Sequence, residues 1–316
     1  MPRILLRRAG DLLFVSFGVS VLSFLMIRLI PGDAVQLMLG ANAEVTQRQI
    51  EMLRHQLGLD QPFVQQYLAW IGRVLHGDFG TSLTTGRPVL TEIAAAAGVT
   101  AELTVLGLAV AVVLALPLGC AMAALRSPAA SLAIRLLSII GITVPSFWLG
   151  IMLLYGASEL MPGWTAVGWV PFAQDPLGNL HRVLFPVVSI ALPVVASLAR
   201  FLRAAMSDAL QQDYVRTARA KGLRERVVLF RHALRNALIP FVTQAGIMAG
   251  YLFAGSVVVE QVFALPGLGR LMVGAIADRD YALVQAAILL ATLVFVCVNT
   301  AVDVLYAIID PRVRAA

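Results

Sequence analysis

Read for apolar periodicity, the chain divides into six runs long enough to cross a hydrocarbon layer of ~30 Å, which takes about 20 residues of helix. They fall at about Leu12 to Ile30, Leu103 to Leu125, Leu136 to Leu160, Val183 to Met206, Leu238 to Val262 and Leu283 to Ile308. Between the first two lies a long polar stretch, residues 31–99, that cannot span. Thr46 and Gln49 there have capping-box spacing, Ile50, Leu53 and Leu57 follow at helical intervals, and Gly58 ends that helix. A second helix is expected from Asp60 as cap and Pro62 in the first turn. Phe63, Tyr67, Ile71 and Val74 form its apolar stripe, and Gly77 follows. A stripe of this kind belongs first to packing, although its polar opposite face suits a docking surface.

Composition agrees with this pattern. Hydrophobic residues make up 59% of 316, charged residues 13%, and mean hydropathy is +0.84, which describes an all-α integral membrane protein. Net charge is +6, but the cations follow the predicted loops: Arg3, Arg7 and Arg8, then Arg126 and Arg135, then the cluster after Ala199, then Arg312 and Arg314. That alternation places both termini in the cytoplasm and argues against a nucleic-acid surface. The first run is followed by Arg28 and Pro31-Gly32-Asp33 rather than by a cleavage site, so it is expected to stay as an anchor. Cys120 and Cys297 fall inside runs, as packed thiols.

One segment is out of keeping with its neighbours. Gln211 to Pro240 reads QQDYVRTARAKGLRERVVLFRHALRNALIP and carries Arg216, Arg219, Lys221, Arg224, Arg226, Arg231 and Arg235 between two apolar runs. Such a density of positive charge has no place in hydrocarbon, so a cytoplasmic loop is required. Asp213 is placed to cap a helix from Tyr214 to Lys221, and Gly222 is suited to the left-handed residue that ends one.

The missing chemistry matters as much. No Gly-x4-Gly-Lys-Ser/Thr phosphate loop is present, and Lys221 is the sole lysine. No His-Glu-x2-His or Gly-x-Ser-x-Gly motif occurs, and His55, His76, His181 and His232 are scattered. The acids Glu102, Glu159, Glu260 and Asp303 lie toward the ends of the runs, and the run centres hold neutral Ser138, Thr143, Ser146, Gln244 and Asn299. The chain therefore reads as a transport subunit, not an enzyme, with no cofactor or metal of its own. Pro117, Pro145, Pro186 and Pro193 permit bends, and Gly246, Ala249, Gly250, Ala254 and Gly255 permit close helix approach. Leu265-Pro266-Gly267-Leu268-Gly269-Arg270 makes a turn-rich loop before the last run.

Four strings, in order, carry a family resemblance: RLIPGDAVQLMLG with LGLDQPFVQQYLAWIGRVLHGDFGTSL, then YVRTARAKGL with RHALRNALIP, then VVVEQVFALPGLGRLMVGAIADRDYALVQ, then NTAVDVLYAIIDPRVR. Together they resemble the membrane subunits of ATP-binding-cassette importers, in the dipeptide, oligopeptide and nickel branch. The resemblance implies the type I importer permease fold, with six transmembrane helices and a small helical periplasmic segment. The division it implies is an N-terminal helix (1–30), the periplasmic segment (31–99) and a five-helix core (100–316) with a coupling loop at about 207–237. In that family the loop docks on a separate ATPase. Thr217, Ala218 and Gly222 fall on the second Ala-type position, the third position and the Gly of the EAA-x3-G pattern; Arg216 stands where many importers have Glu, Arg235 where the general pattern has Pro, and Ala34 where Pro is common. The implied ATPase-coupling residues are Tyr214, Arg216, Thr217, Ala218, Ala220, Lys221 and Gly222. The implied partners are a second homologous permease, two ATPase subunits that bind ATP and Mg, and a periplasmic or extracellular binding protein delivering a peptide-like solute across a bacterial inner membrane. A self-contained secondary carrier or channel is the alternative; it would need a coupling-ion site or a selectivity filter.

Overall fold

A computed structural model describes residues 2–29, 60–125, 127–161 and 168–309. The expected helix from Thr46 to Gly58, Ala34, and terminal Arg312 and Arg314 lie outside the described residues. Ten helices occur among those described: α1 (Pro2–Leu29), α2 (Phe63–Leu75), α3 (Val89–Ala124), α4 (Pro128–Thr143), α5 (Ser146–Leu160), α6 (Pro176–Leu210), α7 (Asp213–Ala220), α8 (Glu225–Val262), α9 (Leu268–Ala277) and α10 (Tyr281–Ile309). Helices α3, α6, α8 and α10 are long and apolar enough to cross a membrane, and α4 with α5 makes a fifth crossing if that bent pair is one span. In α1 the apolar part is shorter, Gly10–Met26.

Two compact units emerge, residues 1–98 with 270–297 and residues 99–269 with 298–316. In the first, α2 meets α1. The ring of buried Phe24 packs edge-on to Tyr67, with centroids 5.5 Å apart, and lies 6.0 Å from Trp70, while the Tyr67 hydroxyl is 2.8 Å from Ser20 Oγ. Of the expected stripe, Tyr67, Ile71 and Val74 are half-buried, whereas Phe63 is 61% exposed and Trp70 takes part instead. The helix is entered at Pro62, which holds the N-cap position expected of Asp60. Pro62 has extended backbone (ψ 144°), and its carbonyl accepts the orphan N–H groups of Gln65 and Gln66.

The loop from Asp78 to Val89 turns on glycine. Gly80 and Gly86 both have positive φ, Thr81 bridges Pro88, and Val89 N–H donates to the Gly80 carbonyl. This loop is fastened to the start of α10 by buried Asp280. Its Oδ2 accepts from Ser82 Oγ at 2.6 Å, Leu83 N at 2.9 Å and Thr84 N at 3.4 Å, while Oδ1 caps α10 by accepting from Leu283 N at 3.1 Å.

The second unit is centred on α6, against which α4, α5 and α8 lie. Its core joins Leu103, Ala111 and Ala115 of α3, Val187, Ile190, Val194, Leu198 and Leu202 of α6, and Phe241, Leu252 and Val259 of α8. Small residues let these axes approach. A Cβ at Gly119 would come 2.8 Å from Leu202, and one at Gly246 would come 2.1 Å from Val302 Cγ1. Gly255 has open space about it within this chain.

The run expected as one helix from Leu136 to Leu160 is broken. α4 and α5 meet at 96°, with Pro145 (ψ 137°) between them. Proline has no N–H for the preceding turn and disfavours a helical residue before it, which accounts for the corner. Pro117, Pro186, Pro193 and Pro240 stay inside continuous helices.

Candidate functional site

The charged segment folds as a helical hairpin between α6 and α8. Helix α6 ends at Leu210; Gln211 and Gln212 turn the chain, and α7 begins at Asp213. Asp213 is not the cap that its position suggests. Gln212 has the extended backbone of the half-in residue (ψ 152°) and its carbonyl accepts from Val215 N, so Asp213 is the first helical residue. There its carboxylate sits at the positive end of the helix and lies 3.5 Å from Arg216 Nη1.

The other end follows the expectation for Gly222. Its φ is +74°, its N–H donates to the Arg219 carbonyl, and Leu223 N–H donates to the Ala218 carbonyl. This pair of bonds is a Schellman motif, which satisfies carbonyls of the last turn and sends the chain back toward α8.

Helix α7 is anchored by two residues at helical spacing. Val215 and Ala218 are buried against Val228 of α8 and Leu210 of α6. A second tie comes from Arg219, whose Nη2 donates to Glu225 Oε1 at 2.7 Å and Nε to Oε2 at 3.3 Å. The fork raises the Arg219 pKa above its already high value, chiefly through the Glu225 hydrogen bond. Exposed as it is, it contributes at most about 1 kcal/mol. Beyond it, Val228–Ala233 forms a π-helical turn within α8.

Of the residues expected to couple, Tyr214, Arg216, Thr217, Ala220, Lys221 and Gly222 are exposed, while Ala218 faces inward onto Val228. The Thr217 hydroxyl bonds back to the Asp213 carbonyl at 3.0 Å. Sequence reasoning overlooked Val215, Arg219 and Glu225, though the three-residue spacing of Val215 and Ala218 signals a buried stripe. Tyr214 also borders an open groove of about 590 Å³, lined by Phe201, Ala205, Asp208, Asn236 and Pro240. Among the described residues no three His, Cys, Asp or Glu side chains gather as a metal site.

A second organised region closes α8. Glu260 is fully buried in the last turn and Ala264 takes positive φ (54°). The Glu260 carboxylate accepts from Thr100 Oγ1 at 2.7 Å and from Gly269 N at 2.8 Å, and Ser256 Oγ lies 3.1 Å away. Thr100 Oγ1 in turn accepts from Leu268 N at 2.9 Å. Gly267 is required by space: a Cβ there would lie 2.3 Å from the Glu260 carboxyl carbon. The Leu-Pro-Gly-Leu-Gly turn is thus wrapped on a buried carboxylate.

This architecture agrees with comparison to known proteins. Residues 115–315 match the family described as the binding-protein-dependent transport system inner membrane component, and residues 1–104 match the N-terminal family of such membrane components. A protein of Brucella abortus (strain 2308) bearing the name of a peptide transport system permease is 40% identical over 314 residues, covering 99% of each chain. A glutathione transport system permease protein of Escherichia coli (strain K12) is also 40% identical over 314 residues, with the same coverage. The chain, an inner-membrane multi-pass protein, belongs to the permease components of binding-protein-dependent, ATP-binding-cassette importers.

Proposed function

We propose that this chain forms half of the translocation path of an ATP-driven importer and takes up ATPase motion through α7. The observation that carries this reading is the mounting of that helix. Val215 and Ala218 fix it to Val228, Arg219 pairs with Glu225, and Tyr214, Arg216, Thr217 and Lys221 remain exposed. A short element held on a long helix transmits a push where a flexible loop would absorb it, and coupling needs a rigid element whose position differs between two states. The two fixed ends of α7, a turn at Gln212 and a Schellman stop at Gly222, give it that rigidity.

In this reading the chain crosses the membrane six times, with α1 as the first crossing, the bent α4 and α5 pair as one, and both termini in the cytoplasm. A second homologous permease completes the path, two ATPase subunits bind ATP and Mg, and a binding protein delivers the solute at the periplasmic face. The relatives' names point to a peptide-like solute, glutathione included.

The test is affinity purification of the tagged chain from mild detergent, with identification of bound chains and an ATPase assay on the eluate. Recovery of ATPase subunits, a second permease and vanadate-sensitive hydrolysis is expected. Recovery of the chain alone, with ion-driven uptake after reconstitution, would overturn the reading.

A further inference from the structure

The corner between α4 and α5 sets a problem that the rest of the fold does not solve. Hydrocarbon offers no hydrogen-bond partners, so irregular backbone at membrane depth persists only where protein covers it or water reaches it. Here Thr143 and Pro145 are exposed at the break. Pro145 has no N–H to offer the Gly141 carbonyl, and the 96° turn carries α5 away from the last carbonyls of α4.

A second observation lies on another helix. Tyr251, well inside the apolar stretch Leu234–Val262 of α8, is 65% exposed. Leaving a hydroxyl unpaired in hydrocarbon costs several kcal/mol on a water-to-alkane scale, and Tyr251 stands about three helical turns from the end of α8. Tyr251 and the α4–α5 corner meet. Val144, Pro145 and Ser146 line one cavity with Tyr251, Gly255 and Pro193, of about 110 Å³. That is several times the ~10–15 Å³ a single water needs. Gly255 has open space at its Cβ position, which keeps the cavity floor clear.

Resting on the importer reading above, the geometry points to this cavity as a solute-contact site on the aqueous path, in which the main-chain carbonyls of Ile142 and Val144 at the corner and the Tyr251 hydroxyl accept hydrogen bonds from the ammonium and amide N–H groups of a peptide-like solute. The ligand class follows from the chemistry of the wall. Main-chain carbonyls accept, the Ser146 and Tyr251 hydroxyls accept and donate, the first N–H groups of α5 donate, and among the described residues no charged side chain lines the cavity. The site therefore suits a solute that carries N–H donors and carbonyl acceptors together, as a peptide does.

The test uses the assembled complex in membrane vesicles, with Cys120→Ala and Cys297→Ser removing the native thiols. A charged, water-soluble methanethiosulfonate reagent is applied to Tyr251→Cys and to Val105→Cys, an equally exposed position on α3. Tyr251→Cys is expected to react at least ~10-fold faster, since an aqueous wall admits the reagent and hydrocarbon excludes it. Trialanine, which carries ammonium and amide donors, is expected to slow the Tyr251→Cys reaction, and succinate, which carries neither, to leave it unchanged. Equal rates at the two positions would overturn the site; fast labelling affected alike by both solutes, or by neither, would overturn the ligand class. Absence of ATPase subunits from the purified Tyr251→Cys complex would defeat the importer reading instead, whatever the labelling rate.

Discussion

The hydroxyl of Thr100 donates to the carboxylate of Glu260 at 2.7 Å, joining α3 to the end of α8 across 160 positions of sequence. The same oxygen accepts the Leu268 N–H, so one side chain relays between a buried charge and the first residue of α9. Thr100→Val keeps the shape but removes both bonds. It leaves a carboxylate short of a donor and a buried N–H short of an acceptor, at a cost of about 1–3 kcal/mol per group. The expected outcome is a clear loss of thermal stability in detergent, followed by intrinsic fluorescence, with Thr100→Ser close to the parent. A Thr100→Val protein as stable as the parent would contradict this account of the loop.

Asp280 holds four donors from two segments, Ser82, Leu83 and Thr84 on one side and Leu283 on the other. An ordinary helix cap lost to alanine costs ~1 kcal/mol. Asp280→Ala removes that cap and also frees the loop from Asp78 to Val89, so its cost should exceed the cap's value, while Ser82→Ala should cost about 1 kcal/mol. Limited proteolysis in vesicles is the direct readout: cleavage between residues 78 and 88 should rise markedly in Asp280→Ala and slightly in Ser82→Ala.

Gly246 and Val302 meet with no room for another carbon, since a Cβ at Gly246 would lie 2.1 Å from Val302 Cγ1. Gly246→Ala should destabilise by about 1–3 kcal/mol through overpacking. Val302→Ala alone should also destabilise, by removing half-buried methyls packed on Gly246, yet the double substitution should be milder than the sum of the two. A double-mutant cycle on unfolding in detergent measures that coupling, and strict additivity would show that the helices do not touch there.

Much of this was open to reading from the chain itself. The spans α3, α6, α8 and α10 follow from apolar run length, and Gly222 as a helix stop follows from glycine's freedom at φ +74°. What resisted reading depends on groups distant in sequence. That Glu260 serves as the anchor of a loop rather than as a span-end charge depends on Thr100, 160 residues away. The 96° corner at Pro145 could not be told from an in-line proline such as Pro117 or Pro193, which their helices absorb. Asp213 looked like a cap because aspartate favours that role; the extended backbone of Gln212 moved the helix start by one residue.

Gly222 has open space around its Cβ position, so bulk is not what forbids a side chain there. The obstacle is backbone: a β-branched residue at φ +74° is strained by about 1–2 kcal/mol. Gly222→Val should insert and assemble normally yet loosen the end of α7, so that ATP hydrolysis by the complex persists while solute uptake falls. Gly222→Asn, which tolerates the left-handed region, should lie between. Wild-type uptake by Gly222→Val would count against α7 as the transmitting element.

Lys221 is the only lysine in the chain and stands exposed at the end of α7, which gives the central claim a direct measurement. A short amine-reactive cross-linker applied to the assembled complex in inside-out vesicles, followed by mass spectrometry, has one side-chain amine of this subunit to capture. If α7 is the coupling element, Lys221 links to a lysine of an ATPase subunit, and Lys221→Arg abolishes that product without changing assembly. Linkage of Lys221 to the solute-binding protein, or its labelling by an impermeant amine reagent from the periplasmic side of right-side-out vesicles, would place α7 on the wrong face and contradict the account.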